Sequence, residues 1–117
     1  MNLIEVISIP VSDQNVAKEF YLKIGFQMII EAPMGDGSTW VQLGLPGQAT
    51  SITLVTWFGN NPAGSLQGLV LKTDDIQKEV DELKSKGIEV APIDNTPWGK
   101  FANFKDPDGN GLILRQE

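Results

Sequence analysis

The order of segments in this chain runs twice. Asp13 stands twelve residues before Gly25, and Asp74 thirteen before Gly87; Gly25 stands twenty-one before Pro46, and Gly87 twenty before Pro107. An aspartate ahead of an apolar stripe is a helix start and a glycine behind it a helix stop. Each half therefore predicts one helix in the same place, with one strand before it and three after, giving βαβββ twice. The halves share order and spacing rather than residues. This duplication constrains the fold more than any other feature, because a lone half is too small to cover its own sheet and helix.

The first module is expected over about 1–58. Residues 3–11, "LIEVISIPV", read as a β-branched strand. Ser12 or Asp13 caps the helix "QNVAKEFYLKI", where Val16, Phe20 and Ile24 recur every four residues and predict its buried face. "FQMIIEA", "TWVQLGL" and "TSITLVTWF" (50–58) follow as strands, separated by the turns "PMGDGS" and "PGQA". "GNNPAGS", 59–65, is the linker. The second module, about 66–117, opens with the strand "LQGLVLKT" (66–73). Asp74 or Asp75 then caps the helix "IQKEVDELKSK", with Ile76, Val80 and Leu83 on its apolar face. "IEVAPI" (88–93) reads as a short strand, "DNTPWGK" as a turn, and "FANFKD" and "LILRQ" as strands flanking "PDGNG". The expected class is α+β in a single domain, 1–117.

At 117 residues, 41% hydrophobic and 21% charged, the chain has the make-up of a globular protein. A net charge of −6 with scattered Lys and Arg argues against nucleic acid. No run approaches the roughly 20 apolar residues that span a bilayer, and the first residues lack the basic region and apolar core of a signal peptide. The expectation is a soluble, cytoplasmic protein. The chain has no cysteine and no histidine. It therefore lacks thiolate chemistry, the commonest metal ligand and the commonest general acid–base.

"DPDGNGLILRQE", 106–117, has the spacing of an EF-hand calcium loop, with Asp106, Asp108, Asn110 and Glu117 as oxygen ligands and Gly111 at the turn. Its surroundings do not support that reading. Pro97 and Gly99 break any entering helix, no exit helix follows Glu117, and no second loop is present to pair with it. The stretch reads instead as a β-turn whose Asp and Asn cap their own backbone.

Three stretches together, "VSDQNVAKEFYLKIGF" (11–26), "LVLKTDDIQKEVDELKSKGIEV" (69–90) and "TPWGKFANFKDPDGNGLIL" (96–114), resemble the glyoxalase / bleomycin-resistance / extradiol-dioxygenase group, the vicinal oxygen chelate superfamily. The resemblance covers essentially the whole chain. It implies two tandem βαβββ modules whose strands form an open, cup-shaped mixed sheet with helices outside, a ligand site in the cup, and a homodimer. Metal-dependent members hold a divalent ion there with His and Glu from four strands. By resemblance those positions fall on Val6, Thr53, Gly68 and Ile113. Only one of them offers an oxygen donor, too few to hold a hard cation. Glu5 neighbours Val6 but points to the opposite face of its strand. No metal and no cofactor are expected, and glyoxalase or dioxygenase chemistry of the metal-dependent kind is not.

Strand alternation then predicts the cup lining: Ile4, Val6 and Ser8; Ser51, Thr53, Val55 and Trp57; Leu66, Gly68 and Val70; Gly111, Ile113 and Arg115. Trp40 and Gln42 share one face of their strand, Phe101 and Asn103 one face of theirs, and Trp98 sits in a loop that by resemblance overhangs the mouth. The expected ligand-binding residues are Trp40, Gln42, Thr53, Trp57, Trp98, Phe101, Asn103 and Arg115, although tryptophans and phenylalanines serve equally well in a core. Such a lining suits an aromatic or amphipathic small molecule. Three functions remain open. One is a metal-free binding protein that sequesters or senses its ligand. Another is a metal-free isomerase or lyase, for which Glu5, Glu31, Asp36, Tyr21 and Asp94 are the available acids and bases. The third is a partner protein whose cup is filled by side chains.

Overall fold

The computed structural model describes residues 1–57 and 59–117. Ten elements follow in order: β1 (Val6–Pro10), α1 (Gln14–Lys23), β2 (Gln27–Pro33), β3 (Thr39–Gly44), β4 (Ser51–Val55), β5 (Leu69–Lys72), α2 (Ile76–Ser85), β6 (Asp94–Thr96), β7 (Gly99–Lys105) and β8 (Gly111–Gln116). They form two four-stranded sheets of matching topology, β1-β4-β3-β2 and β5-β8-β7-β6. In each, the strand before the helix runs parallel to the last strand of its module and the other pairings are antiparallel. The architecture is α+β, two βαβββ modules in tandem.

The helices start and stop by the same chemistry. The Asp13 carboxylate accepts from the Asn15 and Val16 amides, and that of Asp75 from the Lys78 amide, so Asp13 and Asp75 are the caps. Beyond each helix the paired bonds of a Schellman turn close the end, Gly25 N to Leu22 O with Phe26 N to Tyr21 O, and Gly87 N to Lys84 O with Ile88 N to Leu83 O. Gly25 and Gly87 hold φ of 120° and 81°, where a side chain would strain the backbone.

α2 buries Ile76, Val80 and Leu83 as expected. α1 is rotated from its expected face: it buries Ala17 and Tyr21, while Val16 is 49% exposed. Tyr21 sets this register. Its ring packs edge-on against Phe20 and Phe26, and its hydroxyl reaches Asp106 in the other module.

Strand limits also differ from the alternation reading. β1 begins at Val6, leaving Ile4 outside it and exposed. β4 ends at Val55, so Trp57 lies beyond it, and Phe58 falls outside the described residues. Leu66 and Gly68 precede β5. The expected strand 88–93 is instead a connection with a single bridge, Val90 to Phe104. The expected turn 94–100 contains β6, which pairs with β7 through Asp94–Phe101 and Thr96–Gly99. Backbone pairing along β7 made this strand out of residues that have poor strand propensity.

One hydrophobic cluster spans both modules. Ile9, Leu43, Ile52 and Leu54 meet Ala17 and Tyr21; Ala102, Phe104, Leu112 and Leu114 meet Ile76, Val80 and Leu83. The core thus lies on the helix side of both sheets. Loops tie the modules together. Pro10 O accepts from Gly64 N and Asn110 Nδ2, Ser12 Oγ donates to the Asp108 carboxylate, and Lys86 Nζ donates to Lys23 O. Among the described residues no strand of one sheet pairs with a strand of the other. The radius of gyration, 14.7 Å, exceeds the roughly 13 Å of a compact chain of this length. The modules lie side by side and the sheets do not close.

Candidate functional site

Side chains alternate across a sheet, so the face turned away from the helices can be read from the strand registers. On the first sheet Ile30, Gln42, Thr53 and Ser8 stand opposite one another in one row, with Val6 opposite Ser51 in the next. On the second sheet Val70, Ile113 and Asn103 form one row, and Lys72, Arg115, Phe101 and Asp94 another.

The first face carries a chain of neutral hydrogen bonds. The Trp40 indole N–H donates to Gln42 Oε1 at 3.0 Å, Gln42 Nε2 donates to Ser51 Oγ at 2.7 Å, and Ser51 Oγ donates to Glu5 O at 3.3 Å. These bonds fix the Gln42 amide, leaving one N–H and one lone pair of that amide for a bound molecule. The Ser8 and Thr53 hydroxyls lie 3.2 Å apart. Thr53 is fully buried, so a molecule on this face meets Trp40 and Gln42 before it meets Thr53.

The second face is more open. Asn103 is exposed, Phe101 is half-buried, and the Arg115 guanidinium lies 5.9 Å above the Phe101 ring. Arg115 Nη2 donates to Trp98 O at 2.8 Å. Lys72 and Arg115 approach Glu117 at 3.4 and 3.9 Å, exposed pairs of little energetic weight. Trp98 is 75% exposed in the β6–β7 turn, and Trp57, 37% exposed, follows β4.

The expected site residues thus fall into two groups on two sheets. A cavity of about 800 Å³ is walled by Gly68, Asn103 and Ile113 together with Phe20 and Lys23 of α1. A second, about 480 Å³, lies between Ile7, Ser51 and Ile52 on one side and residues 69–74 on the other. Of the eight expected ligand-binding residues, only Asn103 lines either of them.

The acids and bases available for catalysis are mostly elsewhere. Glu31 is on the helix side, paired with Lys18 at 2.8 Å. Asp36 caps Ser38 in the β2–β3 turn, and that bond holds its carboxyl below the usual range. Tyr21 is sealed in the core, where burial and the adjacent Asp106 carboxylate push its phenol far above the usual range. Glu5 precedes β1 and contributes only its carbonyl. Asp94 alone shares a row with the second face.

The metal positions carried over by resemblance, Val6, Thr53, Gly68 and Ile113, do not fit a divalent ion. Three have no donor side chain, and the Thr53 hydroxyl faces another hydroxyl. Among the described residues no three His, Cys, Asp or Glu side chains come together.

The DPDGN turn caps its own backbone as expected, and its side chains also reach beyond the turn. Asp106 Oδ1 accepts from the Asp108 and Asn110 amides, and its Oδ2 accepts from Tyr21 OH and Asn110 Nδ2. Asn110 Oδ1 accepts from Leu66 N. The oxygens that resembled calcium ligands already have protein partners: Asp106 Oδ2 and Asp108 Oδ1 take Tyr21 and Ser12 of the first module, and the others bond within the second. The pattern of apolar helix positions gave one signal of this, since the lone tyrosine lies just off the expected stripe.

Two βαβββ modules in tandem, each with one sheet face turned away from its helix, define the fold of the chain. The sequence pattern of the Glyoxalase/Bleomycin resistance protein/Dioxygenase superfamily matches residues 3–114, and the chain belongs to that superfamily. The structure is similar to that of TnmS3, an antibiotic binding protein from Streptomyces sp. CB03234, at TM-score 0.95 and 43% identity, covering 99% of this chain and 96% of that one. A glyoxalase/bleomycin resistance protein from the same organism is similar at TM-score 0.86 and 45% identity, covering 95% and 97%. The uncharacterized protein YwkD of Bacillus subtilis (strain 168) is 38% identical over 95% of this chain and 94% of its own length.

Proposed function

We propose that this protein binds a small aromatic or amphipathic molecule and works by holding it, without a metal. One observation carries this reading. The floor of the first free face is built from apolar groups, hydroxyls and an amide, that of the second from apolar groups and an amide, with its charges in one row at one end. Such a floor can orient carbonyl and hydroxyl groups of an uncharged ligand and stack its rings. It offers no fixed charge at the centre to stabilise a charged transition state. The similarity to an antibiotic binding protein supports the same reading. Trp40, Gln42 and Thr53 furnish one wall, Phe101 and Asn103 the other, with Trp57, Trp98 and Arg115 at the edges.

Among the described residues the two sheets share no paired strands and do not close into one barrel. In this reading the protein is a homodimer in the cytoplasm, and each cup joins the first face of one protomer to the second face of its partner. A metal-free isomerase or lyase is the competing reading, and Asp94, in the row of Phe101 and Arg115, is where its acid or base would have to be.

Native mass spectrometry on protein purified without chelator tests both. The expected species is a dimer without divalent ion that takes up the uncharged planar dye Nile red, two per dimer, or retains a co-purified organic adduct. A divalent ion on each protomer that survives desalting overturns the metal-free reading. An adduct released chemically altered, with alteration lost in Asp94→Asn, favours the enzyme.

A further inference from the structure

Trp98 occupies the second position of a two-residue turn, Pro97 and Trp98, between the paired residues Thr96 and Gly99. Two-residue hairpins close well when their central residues take positive φ, because only that backbone matches the twist of the strands. Neither Pro97 nor Trp98 has positive φ. Gly99, at φ 127°, turns the chain back into β7, and side chains add further ties to the turn. Thr96 Oγ1 provides two, accepting from Trp98 N at 3.2 Å and donating to Gly99 O at 2.7 Å. Gly99 presses against β8: a Cβ there would stand 2.6 Å from Gln116 O and 3.6 Å from Arg115 Nε. The remaining tie is the 2.8 Å bond from Arg115 Nη2 to Trp98 O. The Trp98 backbone is thus held at both its N–H and its carbonyl, while 75% of the residue is exposed.

We propose that Arg115 is a positioning residue: its guanidinium, seated over Phe101, clamps the Trp98 carbonyl to β8 and so fixes where the Trp98 indole stands at the edge of the second face. This rests on the binding reading above and gives Arg115 a role through Trp98 rather than on the ligand. An arginine suits it, because the planar fork can lie over a ring and donate in its own plane at once. Lys72, on the same row, approaches Glu117 at 3.4 Å, whereas Arg115 Nη1 stands 3.9 Å from it and Nη2 is left to the Trp98 carbonyl.

The test uses full-length protein labelled with 5-fluorotryptophan, whose three ¹⁹F signals are assigned by single Trp→Phe variants. In Arg115→Met, which keeps an apolar stem over Phe101, the Trp98 signal is expected to shift and to narrow about twofold as the indole gains fast motion, with the Trp40 and Trp57 signals in place. An unmoved Trp98 signal overturns the proposal. Nile red titrations give the second readout. Arg115→Met and Trp98→Ala are each expected to weaken binding about tenfold, and the double variant no more than Trp98→Ala alone. Losses that multiply overturn the proposal and place Arg115 on the ligand. If the unsubstituted protein does not bind Nile red, the binding reading fails, and the ¹⁹F signal still decides the role of Arg115.

Discussion

Asp106 accepts four hydrogen bonds, none of them from a lysine or arginine. Two come from its own turn, one from the Asn110 amide and one from Tyr21 in the other module. Its removal strands several buried donors at once, and a stranded donor costs its full desolvation. Asp106→Ala is therefore expected to destabilise the protein by about 3–5 kcal/mol, and Tyr21→Phe by about 1–2 kcal/mol, measured by urea denaturation. Tyr21 also gives the fold an alkaline limit. Its folded pKa lies above its unfolded value, so its contribution is complete below about pH 10. Above that, the unfolded chain releases a proton that the native one keeps, and stability falls by up to about 1.4 kcal/mol per pH unit. As Tyr21 is the only tyrosine, tyrosinate absorbance reports it alone. That absorbance is expected to rise together with unfolding and not before it, and Tyr21→Phe should flatten the alkaline decline in stability. These roles were hidden in the sequence because nothing local says that a helix tyrosine and a turn aspartate 85 residues apart will meet.

Helices and inner strands were legible because their signals are local. Caps, stop glycines and period-2 alternation each act over a few residues; Gly25 and Gly87 follow from them, and the caps follow to within one residue, the structure choosing Asp13 over Ser12 and Asp75 over Asp74. Gly87→Ala is expected to cost about 1–2 kcal/mol in urea denaturation from backbone strain alone, since nothing lies within 4 Å of the added Cβ. Elements fixed by their neighbours were less legible. The stripes 16-20-24 and 17-21 lie side by side on α1, and the tertiary partner of Tyr21 chose between them. Val16→Gln should accordingly change stability by less than about 0.5 kcal/mol. Ala17→Leu, where the residue is fully buried, should cost about 1–3 kcal/mol from overpacking. Thermal or urea midpoints of the pair measure the true face of the helix. β6 escaped for the same reason: Asp, Asn and Thr before a Pro-Trp turn read as loop, and only the hydrogen-bonding edge of β7 makes them a strand.

At the scale of the whole molecule, each face is readable from alternation, but the relation between the faces is not. Phe101 shares a row with Arg115, and Gln42 a row with Thr53. Where the two faces stand relative to each other depends on how the modules are joined. Here they are joined through a shared core and through the Pro10, Tyr21, Asp106 and Asn110 contacts, and among the described residues no strand of one sheet pairs with a strand of the other. A twofold dimer that pairs unlike faces makes two equivalent cups, and it makes a prediction that no single-chain cup can share. One variant carries Trp40→Ala and Gln42→Ala and loses the first face; another carries Phe101→Ala and Asn103→Ala and loses the second. Each alone is expected to lose Nile red binding, because every cup in it has one damaged wall. Unfolded together and refolded as a mixture, half the dimers are mixed, and each mixed dimer joins one intact first face to one intact second face. About a quarter of the binding sites of the unsubstituted protein should return, at its affinity. A cup built within one chain would regain none, because each chain of the mixture still carries its own damaged wall.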